Sequence, residues 1–170
     1  MIPDIDLRLR VATNAMSNVA AQQAEGGSVA AEQLHLAMAT VEQVREILPA
    51  AQAIARGELQ IALDMARDMA AAMPGSGLEP AIEAASATEG NGPATPDEMD
   101  GARADLLAAV CAVLDTRQDD PNYKAAALIA LQKNRETLDY GRAAWLGAGF
   151  ETDPAEVSRL EKVRASLFES

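Results

Sequence analysis

Arg135 and Arg142 stand seven residues apart, two turns of a helix, and so share one side of it with Leu128, Leu131, Leu138, Trp145 and Leu146. Asn134 falls on the margin of that side. Guanidinium groups on an apolar stripe need anionic partners or access to water, because an unpaired buried charge is very costly. Two arrangements satisfy them. In one, the arginines form structural salt bridges to carboxylates of neighbouring helices, or lay their stems along apolar surface with the heads in water. In the other, both forks grip a carboxylate or phosphate, with Tyr140 and Trp145 as apolar walls. The second arrangement defines a candidate ligand-binding set of Arg135, Arg142, Trp145, Tyr140 and Asn134.

Other residue types that carry chemistry are scarce. His35 is the only histidine, and Glu32 precedes it by three residues, the Glu-x-x-His spacing of di-iron bundles. Such a centre needs two of these motifs and two further glutamates, which one histidine per chain does not supply. Glu32, His35, Glu42 and Glu46 also fall opposite Leu34, Met38 and Val41, as a solvated polar face would. A lone Cys111 excludes an internal disulfide and fits a reducing compartment. In the run Leu106–Leu114 it reads as a small buried hydrophobe. Asn14 and Asn18, one turn apart, suit either register control or hydrogen bonding to a ligand. Met65, Met69 and Met73 form a stripe whose ordinary use is core filling. The chain contains no nucleophile elbow, phosphate loop, dinucleotide fingerprint or Cys-x-x-Cys pair. No cofactor and no catalytic residue is expected.

Composition agrees with that reading. The 170 residues carry a net charge of −12, spread as −4 over residues 1–78, −8 over 79–120 and 0 over 121–170. Without a basic stripe there is little to neutralise a phosphate backbone or an anionic membrane surface. The opening residues lack the apolar run of a signal peptide, and no segment approaches the ~18 apolar residues of a bilayer span. A cytoplasmic location is expected. Alanine supplies 37 residues, whereas aromatics make up 3% and all lie in the last third. Alanine favours helix and lets helices approach closely.

The elements follow from periodicity and punctuation. Helical patterns run from about residue 4 to 24, closed by Gly26-Gly27, and from Ser28 to Pro49. In the first, Ile5, Leu9, Ala12, Met16 and Val19 share a face. A third pattern spans 50–73, with Gly57 as a point of bending or breakage. Pro74-Gly75-Ser76-Gly77 opens a Gly- and Pro-rich stretch, 75–94, expected to be a flexible loop with at most a short helix at 80–87. Thr95-Pro96-Asp97-Glu98 is a capping box, and Asp120-Pro121 and Asp153-Pro154 open two further helices. The sum is an all-α protein: a compact bundle of about five or six helices in a single domain, 1–170, with N-terminal helices over 1–74 and C-terminal helices over 95–170.

The opening Ile2-Pro3-Asp4 and the tail Arg142-Ala143-Ala144-Trp145 … Gly149-Phe150 … Asp153-Pro154 resemble those of a group of uncharacterised bacterial all-helical proteins. In this chain Gly141 stands where that pattern carries a glutamate. The resemblance implies a helical fold and directs attention to Arg142, Trp145 and Phe150; it implies no reaction. The expected function is a non-catalytic helical binding or assembly module, as a homodimer or with a protein partner, and without nucleic acid or membrane. The alternative is a bundle that binds an anionic or acyl-type small molecule, or an auxiliary enzyme, through Arg135, Arg142 and Trp145.

Overall fold

Alanine-rich segments broken by Gly and Pro become helices wherever a periodic apolar face finds a neighbour to pack on. The computed structural model describes residues 5–23, 29–144, 146, 153–159 and 162–163. Every regular element among them is helical, in the order α1 (Ile5–Gln23), α2 (Val29–Ile47), a 3-10 turn (Leu48–Ala50), α3 (Ala51–Ala72), α4 (Glu79–Gly90), α5 (Pro96–Thr116) and α6 (Tyr123–Ala144). The protein is all-α, with helix packed on helix. The chain divides into two compact units, one of α1, α2, the 3-10 turn and residues 145–154, the other of α3 to α6 and residues 155–170.

In the first unit α1 and α2 pack along each other. The packed edge of α1 carries Leu9, Thr13, Met16 and Ala20, and that of α2 carries Leu34, Met38 and Val41. Ser17 places its hydroxyl 3.7 Å from the Met38 sulfur between them. The observed edge of α1 is turned from the expected one: Ala12 and Val19 are exposed, and Ala20 is buried. Pro49 interrupts the helical ladder as expected, and the chain crosses it in the 3-10 turn.

In the second unit α3 is central and packs against α4, α5 and α6. Its core joins Leu59, Leu63, Met65, Met69 and Met73 to Met99, Leu106, Val110 and Val113 of α5. Gly57 neither breaks nor ends α3, because the Tyr140 ring of α6 occupies the space a side chain there would need. The tyrosine is fully buried and donates its hydroxyl to the Ala53 carbonyl at 3.2 Å.

The stretch 75–94 is not the loop its composition implies. It contains α4, and Leu78, Ala85 and Ala94 enter the core. Gly75 and Gly77 adopt φ of +75° and +83°, the left-handed region in which glycine escapes the Cβ clash, and so turn the chain sharply after α3. Carbonyls that a loop would leave to water are claimed by α3 and by the C-terminal end of α5. Gln52 donates to Gly92 and Ala94, Arg56 donates to the Glu89 and Asn91 carbonyls, and Arg117 donates to Gly75. At the next boundary the capping box forms as expected, with the Thr95 N–H on the Glu98 carboxylate at 2.7 Å and the Glu98 N–H on the Thr95 hydroxyl. Those hydrogen bonds, the backbone one first, hold the Glu98 carboxyl below its ordinary pKa.

After α6 the described residues of the expected last helix form a turn at 154–156 and a helical turn at 162–163. Val157 is half-buried; Leu160 and Leu167 lie outside the described residues.

Candidate functional site

Two heptad-spaced faces run along α6, and the structure buries the small one. Ala126, Tyr140 and Ala143 are buried, with Ile129, Ala130, Lys133 and Thr137 half-buried between them. Small residues there allow α6 to approach α3 closely, and only a glycine on α3 leaves room for the Tyr140 hydroxyl. The larger apolar stripe is therefore outside. Leu128, Leu131 and Leu138 are 67%, 68% and 61% exposed, and Arg135 and Arg142 are exposed between and beyond them. This reverses the expected burial of that stripe, and it removes the difficulty posed by the arginines: their charges are on the wet side of the helix.

Half of that face borders a cleft of about 500 Å³. Arg135, Glu136, Asp139 and Arg142 form one wall, and Glu156, Val157, Ser158, Lys162 and Val163 the other. Three cations thus meet three carboxylates. Glu136 is already held by Lys133 at 2.8 Å. Burial pushes the Lys133 pKa down, but its hydrogen bond and attraction to Glu136, with Asp64 and Asp68 of α3, outweigh that and leave it raised.

Of the expected ligand-binding residues, the structure brings Arg135 and Arg142 together on the cleft. Tyr140 is a correction: it is buried on the other side of the helix, in the core, and does not line this cleft. Asn134 is exposed on the flank of the stripe and does not line the cleft. Trp145 and Phe150 lie outside the described residues. Lys162 is the cation that sequence reasoning missed, because its place on the cleft depends on a tail segment whose course no local pattern encodes.

The remaining candidates resolve into surface and core. His35, Asn14 and Asn18 are exposed, and Cys111 is exposed on α5 rather than buried. Met65, Met69 and Met73 are core. A second hollow of about 440 Å³ lies between α4 and α5, with five alanines and Glu98 of the capping box among its lining residues. Between α3 and α5, Arg103 pairs with Glu58 at 2.9 Å; burial raises the Glu58 pKa by more than the arginine lowers it. Among the described residues, no three His, Cys, Asp or Glu side chains group as a metal site. No described helix is long and apolar enough to cross a membrane. Comparison of the chain with protein-family models, curated proteins and solved structures yields no match.

Proposed function

We propose that this chain is a helical protein-binding module whose α6 face takes an amphipathic partner helix with carboxylates beside its apolar stripe. The observation that carries this reading is the exposed run Leu128, Leu131, Arg135, Leu138 and Arg142, spaced three and four residues apart along the helix. That spacing is how one helix offers anchors to another. The charges within the run are both positive, so a partner gains by presenting Asp or Glu opposite them. The acidic balance of the chain argues against nucleic acid, and its lone cysteine fits the cytoplasm.

The test uses two synthetic amphipathic helices with the same leucine stripe, one flanked by glutamates and one by lysines. The glutamate peptide should bind the full chain with a micromolar-range Kd, about −8 kcal/mol or weaker, and the lysine peptide at least ~10-fold more weakly. Leu131→Glu with Leu138→Glu should abolish binding, yet change stability by no more than about 0.5 kcal/mol, since both side chains are exposed. Equal binding of the two peptides, or binding that survives the double substitution, overturns the proposal.

The convergence of Arg135, Arg142 and Lys162 on one cleft favours a second reading, an anionic small-molecule site. Leu131→Glu, set beside Arg142→Met, separates the two. A carboxylate or phosphate probe in the cleft loses affinity with Arg142→Met and is indifferent to Leu131→Glu.

A further inference from the structure

The turn that closes α4 brings together the groups of a spontaneous reaction. Asn91 caps the helix and is followed by Gly92, the one Asn-Gly pair in the chain. Both residues are exposed. Asparagine is a thermolabile side chain, because the next main-chain nitrogen can attack its carboxamide. That attack needs an N–H with no other engagement and an unhindered approach. Among the described residues, the N–H groups of Asn91 and Ala94 donate to Thr88 at 3.2 Å and to Asn91 at 3.0 Å, whereas that of Gly92 donates to no backbone carbonyl. With no side chain, Gly92 leaves its nitrogen open. The fold itself does not require a glycine there. Its φ lies outside the left-handed region, and an added Cβ would meet nothing within 4 Å.

The same geometry holds the reaction back. Ring closure requires the Asn91 Cβ and the Gly92 nitrogen to eclipse about the Cα–C bond, and at a ψ of 100° they are far from doing so. To reach that arrangement the Asn91 carbonyl must swing away, and it is held twice, by the Ala94 N–H and by the Arg56 guanidinium at 3.3 Å. Arg56 also donates to the Glu89 carbonyl, and the Gln52 amide donates to the Gly92 and Ala94 carbonyls at 3.2 and 3.1 Å. We infer that Asn91 is a site of spontaneous deamidation, and that the clasp formed by Gln52 and Arg56 of α3 sets its rate. The Gly92 nitrogen gives up its proton and bonds to the Asn91 Cγ; the Cγ–NH2 bond breaks, and ammonia leaves with, in net terms, that proton. Water then opens the five-membered imide. Cleavage at Cγ yields aspartate, and cleavage at the main-chain carbonyl yields isoaspartate. Loss of ammonia makes the change irreversible, and either product adds one negative charge. Isoaspartate also routes the main chain through Cβ, one carbon longer, just ahead of the buried Ala94, so the exit of α4 must loosen. The clasp has to open before the ring can close, so the rate follows the population of the opened turn.

Peptide mapping by mass, after incubation of the full chain in mildly alkaline buffer, tests this. The peptide holding Asn91 should gain the mass difference between an amide and an acid and separate into aspartate and isoaspartate forms. Those holding Asn14, Asn18, Asn122 and Asn134 should lag behind it. Gln52→Ala with Arg56→Ala should speed the gain at least ~3-fold, since hydrogen bonds of ordinary strength keep the turn shut. Gln52→Ala alone should give an intermediate rate, which reads out the clasp even if the double variant misfolds. Arg117→Ala, which frees the Gly75 carbonyl at the other end of α4, should leave the rate unchanged. In unfolding urea the wild type and the clasp variants should react equally fast, and Gly92→Ala should slow the reaction there as well as in the folded chain. No gain at Asn91 in the unfolded chain, a folded wild type that reacts as fast as the unfolded one, an unaffected Gln52→Ala variant, or acceleration by Arg117→Ala would each overturn the inference.

Discussion

A methyl group at position 57 would occupy the place of the Tyr140 hydroxyl and its ring carbon. The ring cannot retreat, because it is fully buried and its hydroxyl is held by the Ala53 carbonyl. Alanine would otherwise favour the helix by about 0.8–1 kcal/mol, while overpacking a rigid site costs about 1–3 kcal/mol. The clash should win. Gly57→Ala is expected to destabilise the α3–α6 unit by about 1–2 kcal/mol in urea unfolding, and adding Tyr140→Leu should recover part of the loss. Periodicity alone offers two readings of Gly57, a bend or a break in the helix, because the residue that requires it lies 83 positions along the chain. The same limit applies to Tyr140. As a residue type it suits a pocket wall as well as a core, and only its partner on α3 decides between them.

At the scale of elements, the start of α5 was legible to the residue. Thr95, Pro96 and Glu98 are local signals, and they act locally: hydroxyl and carboxylate each satisfy one N–H that the first turn leaves open. Thr95→Ala should therefore cost about 1 kcal/mol of unfolding free energy, with the start of α5 losing hydrogen-exchange protection before its middle. The helix α4 was legible only in part: a short helix at 80–87 could be read, but not its extent or its packing. Its Gly, Pro, Ser and Glu are residues of turns and linkers, and its amphipathic pattern is faint. What orders it is distant: Gln52 and Arg56 reach carbonyls 33 to 42 residues away, and Leu78 and Ala94 anchor its two ends in the core. On α6 the pattern was legible but its sense was not. Two stripes of equal period compete for the core, and the smaller one wins because Ala126, Ala143 and the Gly57–Tyr140 contact permit closer packing.

Across the whole molecule the two units differ in how they are stabilised. The α3–α6 unit encloses a continuous core of leucine, methionine and valine, whereas the α1–α2 hairpin has an edge contact and exposed apolar residues. Protection from hydrogen exchange should accordingly be lower in α1 and α2 than in α3, and equal protection would show that the hairpin is as firmly packed as the second unit. The sequence by itself determined the helical class, the capped start of α5 and the turn at Pro49, all of which rest on propensity and on neighbours within a few residues. It also determined that Arg135 and Arg142 share a face. Only the tertiary structure decided which face of each helix is buried, that 75–94 is a packed helix, that Cys111 is exposed, and that Lys162 rather than Tyr140 joins the arginines. The physical reason is common to all four. Burial is settled by competition between faces for a partner, and the partners are far apart in the chain.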